Sequence, residues 1–132
     1  MEQGWLTWQQ FERIAKRMAR EIEPLVKGGE VDSLYGIPRG GMVVAVRLSY
    51  ILNIPIVEFS QISETTLIVD DILGSGRTAR EVLRQVPSKQ LASLVYAEDA
   101  ELPPGLKTFV GGRRIPGNIF IKMPWAPEDT IH

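Results

Sequence analysis

The sequence contains no cysteine, and its one histidine is the last residue, His132. Disulfides, thiolate metal sites and cysteine nucleophiles are therefore excluded for this chain. A single terminal imidazole also leaves no histidine-based metal site and no buried Ser-His-Asp triad. Any chemistry that the chain performs has to come from other groups.

The sequence also lacks an excess of either charge, with 15 basic and 16 acidic residues and a net charge of −1. Proteins whose main role is to bind nucleic acid carry a clear basic excess, so this role is disfavoured. A local basic patch is compatible with this balance, and Arg113 with Arg114 is one candidate. No apolar run approaches membrane-spanning length, and residues 2–4 do not resemble the start of a signal peptide. We therefore expect a cytoplasmic protein without a membrane partner.

Short apolar segments alternate with segments of helical spacing along the chain, and 132 residues are enough for a single domain, 1–132. Thr7 and Gln10 form a capping box that begins a first helix, and Pro24 is expected to end it. Strands are predicted at residues 34–37, 56–59, 67–69 and 91–97, and further helices at 42–52 and 78–86, with Asn53 ending the helix at 42–52. This alternation predicts an α/β fold, with an open parallel sheet and helices on both faces. The segment from about residue 103 to 132 is rich in proline and glycine, and it predicts a small C-terminal hood with short strands around Phe109 and 119–121.

Two adjacent carboxylates, Asp70 and Asp71, stand between a buried strand and a loop of small residues. Ligands of open parallel sheets bind beyond the carboxyl ends of the strands, which is where this loop lies. Its backbone amides precede a helix and can bind a phosphate group. The residues concerned are Gly74, Ser75, Gly76, Arg77 and Thr78. An ordinary strand-to-helix turn with solvated acids is the alternative. The nucleotide-binding motifs GxxxxGK[ST] and, after the first strand, GxGxxG are absent.

A second glycine-rich loop follows the first predicted strand, at residues 36–41. Arg39 offers a forked cation to phosphate oxygens, and Gly40 and Gly41 expose amides beside it. Pro38 precedes the arginine. The alternative is a tight turn with a solvated arginine. Two anion-binding loops at the ends of neighbouring strands would suit a ligand with two phosphate groups.

Residues 67–78 resemble the signature by which type I phosphoribosyltransferases bind 5-phosphoribosyl-1-pyrophosphate (PRPP). The resemblance implies that residues 74–78 hold the 5-phosphate and that Asp70 and Asp71 address the ribose hydroxyls. The loop at 36–41 is similar to the pyrophosphate loop of the same family. The resemblance also implies Mg²⁺ as cofactor, with Asp70 and Asp71 as its protein ligands, and a homodimer or a higher homo-oligomer.

Residues 120–125 are similar to a late segment of the xanthine-guanine subgroup of that family. This similarity implies that Phe120 stacks on the base and that the Ile121 backbone binds the base edge. The alternative places Phe120 in the small core of the hood. Glu98 falls where the subgroup has a lysine that reads the 6-oxo group, so it would favour an amino-bearing edge or a ring N–H, or else be a plain surface residue. Gly74 stands where 6-oxopurine enzymes carry an acid.

The family usually has a long flexible loop before the strand that carries the two acids, but only residues 60–65 are available here. So short a segment cannot close over an active site. The leading hypothesis is an enzyme that transfers ribose 5-phosphate from PRPP to a nucleobase, with a purine favoured and Asp70, Asp71 and Arg39 as catalytic residues. A non-catalytic module that senses PRPP or nucleotides is the alternative. A different phosphosugar enzyme with the same two loops is a third hypothesis.

Overall fold

The computed structural model describes residues 2–126. Two of the expectations above, the single histidine at 132 and the last part of the hood, lie outside these residues. The elements follow in the order β1 (Glu2–Trp5), α1 (Trp8–Lys27), β2 (Ser33–Gly36), α2 (Gly40–Leu52), a 3₁₀ turn (Phe59–Gln61), β3 (Thr66–Leu73), α3 (Arg77–Arg84), β4 (Gln90–Ala97), β5 (Thr108–Ile115) and β6 (Ile119–Lys122). No helix of this part of the chain is long and apolar enough to cross a bilayer.

The central sheet has four parallel strands in the order β2-β3-β4-β5. Helices α1 and α2 pack on one face of this sheet, and α3 packs on the other. Parallel strands that are covered on both faces read as nearly continuous apolar runs, and β3 and β4 have this character. The predicted α/β fold with helices on both faces is therefore confirmed.

The hood consists of β1 and β6, which pair in parallel as a separate two-stranded sheet. The expectation that the strand around Phe109 belongs to the hood is wrong. This strand is β5, and it pairs with β4 from Thr108 to Ile115. Two glycines and two arginines in the middle of β5 give it a weak strand pattern, so its place in the sheet depends on pairing with β4. That residues 1–132 form a single domain stays a prediction.

Helix α1 begins as the sequence predicts but ends later. Thr7 Oγ1 accepts a hydrogen bond from the Gln10 amide at 3.1 Å, and the Thr7 amide donates to Gln10 Oε1 at 2.9 Å. The expectation that Pro24 ends the helix is wrong, because the helix continues to Lys27. Proline removes a single helical hydrogen bond near the end of α1, and the following Leu25 and Val26 pack against the core.

The predicted strand at 56–59 is also wrong. Ile56 makes one isolated parallel bridge to Leu34 in β2, and the chain then turns into the 3₁₀ segment. Glu58 and Gln61 cap this turn by hydrogen bonds to each other's backbone. Asn53 ends α2 in the left-handed conformation, with φ of 55°, as the sequence predicts. The whole connection between α2 and β3 is thus short and contains no flexible-loop hairpin.

Candidate functional site

A cleft of about 680 Å³ opens at the carboxyl ends of the central strands, between the loop after β2 and the hood. Arg39 and Gly40 border it on the loop side, and Asp71 projects from β3. Phe120 and Ile121 of β6 border it on the hood side. The fold therefore brings together residues from three separate parts of the sequence that were expected to share a site.

A smaller cavity of about 150 Å³ lies beside this cleft, and Ile72 borders both. Its lining includes Asp70 and every residue of the predicted phosphate loop, namely Gly74, Ser75, Gly76, Arg77 and Thr78. Asp70 and Asp71 therefore face neighbouring cavities, in keeping with the alternation of side chains along a strand. A ligand that spans both cavities would have both carboxylates at its centre.

The two carboxylates differ in their surroundings. Asp70 is buried, with 7% of its surface exposed, and its Oδ1 accepts a hydrogen bond from the Asp71 amide at 2.9 Å. Burial raises the pKa of Asp70 to about 7, and the neighbouring Asp71 carboxylate contributes to the rise. Asp71 Oδ1 accepts from the Ile72 amide at 2.8 Å. Near neutral pH, Asp70 therefore exchanges between its charged and neutral forms.

The loop after β2 lies directly on β3. The Ile37 amide donates to the Val69 carbonyl at 2.8 Å. A Cβ added at Gly40 would overlap the Asp71 carboxylate, and one at Gly41 would lie 2.5 Å from the Val69 carbonyl oxygen. The glycines are thus required for close packing against β3 as well as for access to the amides.

Two members of this loop do not face the cleft. Gly41 is buried against β3, and Pro38 borders an apolar groove on the outer side of the loop. The peptide bond between Pro38 and Arg39 is cis. Arg39 is exposed, so its guanidinium is accessible from the cleft.

The predicted phosphate loop at 74–78 is held in place by two residues that the sequence did not reveal. Arg80 Nη1 donates to the carbonyl oxygens of Ser75 at 3.0 Å and Glu101 at 2.7 Å. The Glu101 amide also donates to the Ser75 carbonyl at 3.0 Å. Gly76 has φ of 90°, and a Cβ there would overlap the Glu101 carbonyl. Only the position of Arg80, one turn into the helix after the loop, could have suggested its role.

The hood supplies an accessible aromatic ring. Phe120 is 51% exposed and borders the cleft, whereas its neighbours Ile121 and Met123 are buried. The alternative that places Phe120 in the core of the hood is therefore wrong. Trp125 also borders the cleft, and its ring contacts Trp8 and Phe11 of α1 at centroid distances of 6.0 and 5.5 Å.

Glu98 is not brought to this cleft. Its carboxylate lies 3.5 Å from Arg114 Nη2, and both side chains are exposed. Its amide donates to the Ile115 carbonyl, which fixes the backbone at this position. The interpretation of Glu98 as a surface residue fits this geometry. A Cβ added at Gly74 would meet open space, so the fold leaves room for a side chain at this position.

The protein groups at the site suit a cation that takes most of its ligands from water and from the substrate. Among the residues that the structure describes, no three His, Cys, Asp or Glu side chains are grouped so that they could hold a metal ion by themselves. The adjacent Asp70 and Asp71 remain. Mg²⁺ is commonly held by one or two carboxylates together with substrate phosphates and not by protein ligands alone. A pair of adjacent carboxylates therefore suits this cation.

Comparisons with known proteins agree with this geometry. No model of a protein family matches the chain. In an alignment of 144 positions, the chain is 30% identical to a xanthine-guanine phosphoribosyltransferase of Nitratidesulfovibrio vulgaris (strain DP4), and the alignment covers 93% of this chain and 84% of that protein. Among solved structures it is similar to a purine phosphoribosyltransferase from Pyrococcus horikoshii, with a TM-score of 0.76, 26% identity, and coverage of 100% and 99%. A hypothetical protein from Neisseria gonorrhoeae with bound ppGpp has the same fold, with a TM-score of 0.80, 20% identity, and coverage of 97% and 91%.

Proposed function

The chain belongs to the type I phosphoribosyltransferase family, and from this premise we propose that it transfers ribose 5-phosphate from PRPP to a purine base with release of pyrophosphate. The observation that carries the proposal is the pair of adjoining cavities. One is bordered by Asp70 and the loop at 74–78, and the other by Asp71, Arg39 and Phe120. A phosphate group, a sugar, a pyrophosphate and a flat base together need such an arrangement.

Each part of PRPP has a matching set of groups. The amides and hydroxyls of residues 74–78 suit the 5-phosphate. Arg39 and the Gly40 amide suit the pyrophosphate, because a guanidinium binds phosphate oxygens in a forked geometry. The ribose then lies between Asp70 and Asp71, whose carboxylates accept hydrogen bonds from its hydroxyls.

The chemistry needs little beyond positioning and charge. The C1–O bond of PRPP breaks and pyrophosphate leaves with the electron pair, while a base nitrogen supplies the pair for the new C1–N bond. Arg39 stabilises the leaving charge, and the carboxylates of Asp70 and Asp71 stabilise positive charge on the ribose ring. When bound, Mg²⁺ would be held by Asp70 and Asp71 and would neutralise charge on the pyrophosphate.

The base enters from the hood side of the cleft. Phe120 offers an exposed ring face for stacking, and the Ile121 backbone lies next to it for contact with the base edge. Gly74 supplies no acid or base, so the proton that the base nitrogen loses passes to water in the open cleft. Glu98 takes no part in this proposal, because its carboxylate lies beside Arg114.

A second function, sensing of PRPP or a nucleotide without turnover, is favoured by two observations. The segment at 60–65, before the strand that carries the two acids, is too short to close over the cleft, and Gly74 lacks the acid. The protein of the same fold from Neisseria gonorrhoeae was solved with ppGpp bound, so ppGpp is one of the nucleotides to test. Under this alternative the same cavities hold the ligand, and no transfer follows.

A cytoplasmic location stays a prediction for the transferase and for the sensor alike.

The test is pyrophosphate release from PRPP with Mg²⁺, measured across a panel of purine and pyrimidine bases. We expect release with a purine above the no-base control. Asp70→Asn combined with Asp71→Asn should reduce it to background, because both ribose contacts and the cation ligands lose their charge. A matched control is Glu23→Gln with Glu64→Gln, which removes two exposed carboxylates far from the cleft.

The outcomes separate the two functions. An unchanged rate in the Asp70 and Asp71 double variant contradicts the transferase. Absence of turnover with every base, together with saturable binding of PRPP or ppGpp in calorimetry, supports the sensor. Absence of both turnover and binding contradicts both.

A further inference from the structure

A second large cleft, of about 700 Å³, lies between α1 and the edge strand β5, and shares no lining residue with the two cavities described above. Its walls carry Arg13 and Arg17 from α1 and Arg113 and Arg114 from β5. The chain as a whole has a net charge of −1, so four arginines around one cleft are a local concentration of positive charge. Arg113 and Arg114 are adjacent on β5, so their side chains leave the strand on opposite faces.

Little within the chain neutralises these arginines. The lining contains one acid, Glu21, and Glu98 lies 3.5 Å from Arg114 outside the lining. Arg17 donates to the Gly112 carbonyl. Within residues 2–126, neither Arg13 nor Arg113 takes part in an ion pair with an acidic side chain. Two guanidinium groups are thus available to an external anion.

The surrounding backbone also suits a small anionic ligand. A Cβ added at Gly111 would overlap the Tyr96 ring, and one at Gly112 would overlap the Leu94 carbonyl and the Ile14 side chain. Both faces of β5 are therefore covered here, and a ligand would approach the strand from its outer edge. β5 is the outermost strand of the sheet, and its outward amides are therefore not used by β4. Arg13 and Arg17 are four residues apart on α1, where like charges repel, and an anion between them would relieve this repulsion.

We propose that this cleft binds a compact polyphosphate anion, either inorganic polyphosphate or the phosphate chain of a nucleoside polyphosphate. An arginine fork binds two phosphate oxygens at once, and Arg13 and Arg113 are the two arginines of the lining that this proposal assigns to the phosphates. A nucleic-acid strand fits less well, because Glu21 and Glu98 flank the arginines and the chain lacks an overall basic surface. The Tyr96 ring, which also lines the cleft, offers a stacking surface if the ligand carries a base.

The experiment titrates inorganic tripolyphosphate, without Mg²⁺, into ¹⁵N-labelled full chain and follows the backbone amides by NMR. We expect saturable shifts at residues 111–114 and at Tyr96, apart from any shifts at 74–78. Arg13→Ala with Arg113→Ala should weaken the binding that is seen at 111–114 by about tenfold or more, because two charge-assisted contacts are lost. Shifts at 74–78 should persist in this variant, which reports directly that the active-site loop is intact.

Lys16→Ala with Lys27→Ala is the matched control, since it removes two exposed cations of α1 that pair with Glu12 and Glu23. Its affinity should stay within about twofold of the wild type. The proposal is overturned if no saturable shifts occur at 111–114, if the control loses as much affinity as the arginine variant, or if a short single-stranded oligonucleotide binds the cleft more tightly than tripolyphosphate. Tighter binding of the oligonucleotide would indicate a nucleic-acid contact. Either of the other two results would indicate that the arginines only shield the edge of the sheet.

The two sources of the phosphate chain are separated by a nucleoside triphosphate. Tighter binding than tripolyphosphate, with the gain lost in Tyr96→Leu, identifies a nucleotide. Equal affinity for both ligands identifies the phosphate chain alone. Both results support the cleft as a polyphosphate site.

Discussion

Asp70 combines burial with a neighbouring carboxylate, and this makes it the most perturbed titrating group of the site. Its pKa is raised to about 7 by burial and then by Asp71, whereas a free aspartate titrates near 4. The folded state therefore holds a proton on Asp70 that the unfolded chain has already lost. The stability that this proton supplies is complete below about pH 4 and is lost as the pH rises toward 7.

Asp70→Asn should remove this pH dependence, because the asparagine stays neutral and its oxygen can still accept the Asp71 amide. Between about pH 5 and pH 7, the unfolding free energy of the wild type should fall relative to the variant by at most about 1.4 kcal/mol per pH unit. Urea unfolding of both proteins at several pH values, without Mg²⁺, measures the difference. A difference that does not change with pH would contradict the raised pKa.

We predict that Arg80 is a positioning residue for the loop at 74–78, since it donates to the Ser75 and Glu101 carbonyls without lining the small cavity. Arg80→Ala should raise the KM for PRPP by about tenfold and change kcat much less, because the loop amides lose their fixed arrangement. Arg80→Lys should restore part of the loss. Arg84→Ala is the control, because Arg84 pairs only with the exposed Glu81 one helical turn away.

Steady-state kinetics with PRPP varied at saturating base give this separation of KM from kcat. A fall in kcat without a change in KM would contradict a role in PRPP binding. Equal effects from the Arg80 and Arg84 variants would mean that general loss of helix charge, and not the loop contact, is responsible.

At the scale of elements, the loop after β2 and strand β3 act as one packed unit. Gly36, Gly40 and Gly41 all lack room for a Cβ, and the group that Gly40 would meet is the Asp71 carboxylate. The start of α2 and the acid of β3 are therefore positioned by each other. This contact explains why the loop after β2 needs a glycine at position 40, next to the Asp71 carboxylate.

Gly40→Ala should displace either the loop or Asp71. We expect it to lower the unfolding free energy by about 1–3 kcal/mol, as overpacking does, and to abolish pyrophosphate release. Gly74→Ala is the control for stability alone, because its Cβ would meet open space and its φ is not positive. Thermal unfolding of both variants and the transfer assay on Gly40→Ala make the comparison. Equal stability in the two variants would contradict the tight packing at Gly40.

At the scale of the whole molecule, one outward face is largely apolar, and the exposed Glu58 lies at its border. It consists of Met42, Val46 and Tyr50 from α2, with Ile56 and Phe59 from the segment that follows, and each is at least 44% exposed. The single charge of α2, Arg47, turns away and binds Glu12 of α1 through two hydrogen bonds of 2.6 Å. A helix that is apolar on its outer face is normally covered. A largely apolar surface of this kind is compatible with a second copy of itself.

We therefore predict a homodimer through this face. Val46→Glu should convert it to a monomer, because a buried unpaired carboxylate opposes association. Leu102→Glu is the control, since Leu102 is similarly exposed but lies outside this face. Light scattering after size-exclusion chromatography gives the mass of each protein. A wild type that is monomeric, or a dimer that Val46→Glu leaves intact, would contradict the prediction.

The sequence by itself determined the parts of the protein that depend on neighbours along the chain. The capping box at Thr7, the helix end at Asn53 and the buried run of β3 use local hydrogen bonds, backbone conformation and apolar content, which are visible in a few consecutive residues. The phosphate loop at 74–78 has the same local character. For this reason the fold class and the candidate site are predictable from the amino-acid sequence alone.

Only the tertiary structure decided which distant segments meet. It placed Thr108–Ile115 in the central sheet, paired Glu2–Trp5 with Ile119–Lys122, turned Glu98 toward Arg114 and set Arg80 against the phosphate loop. The partner of a strand or a surface side chain is chosen by packing across long stretches of chain, and that choice overrides the weak local preference of residues such as Gly111 and Pro24. Local sequence fixes the shape of a loop, but the neighbours of that loop come from the fold as a whole.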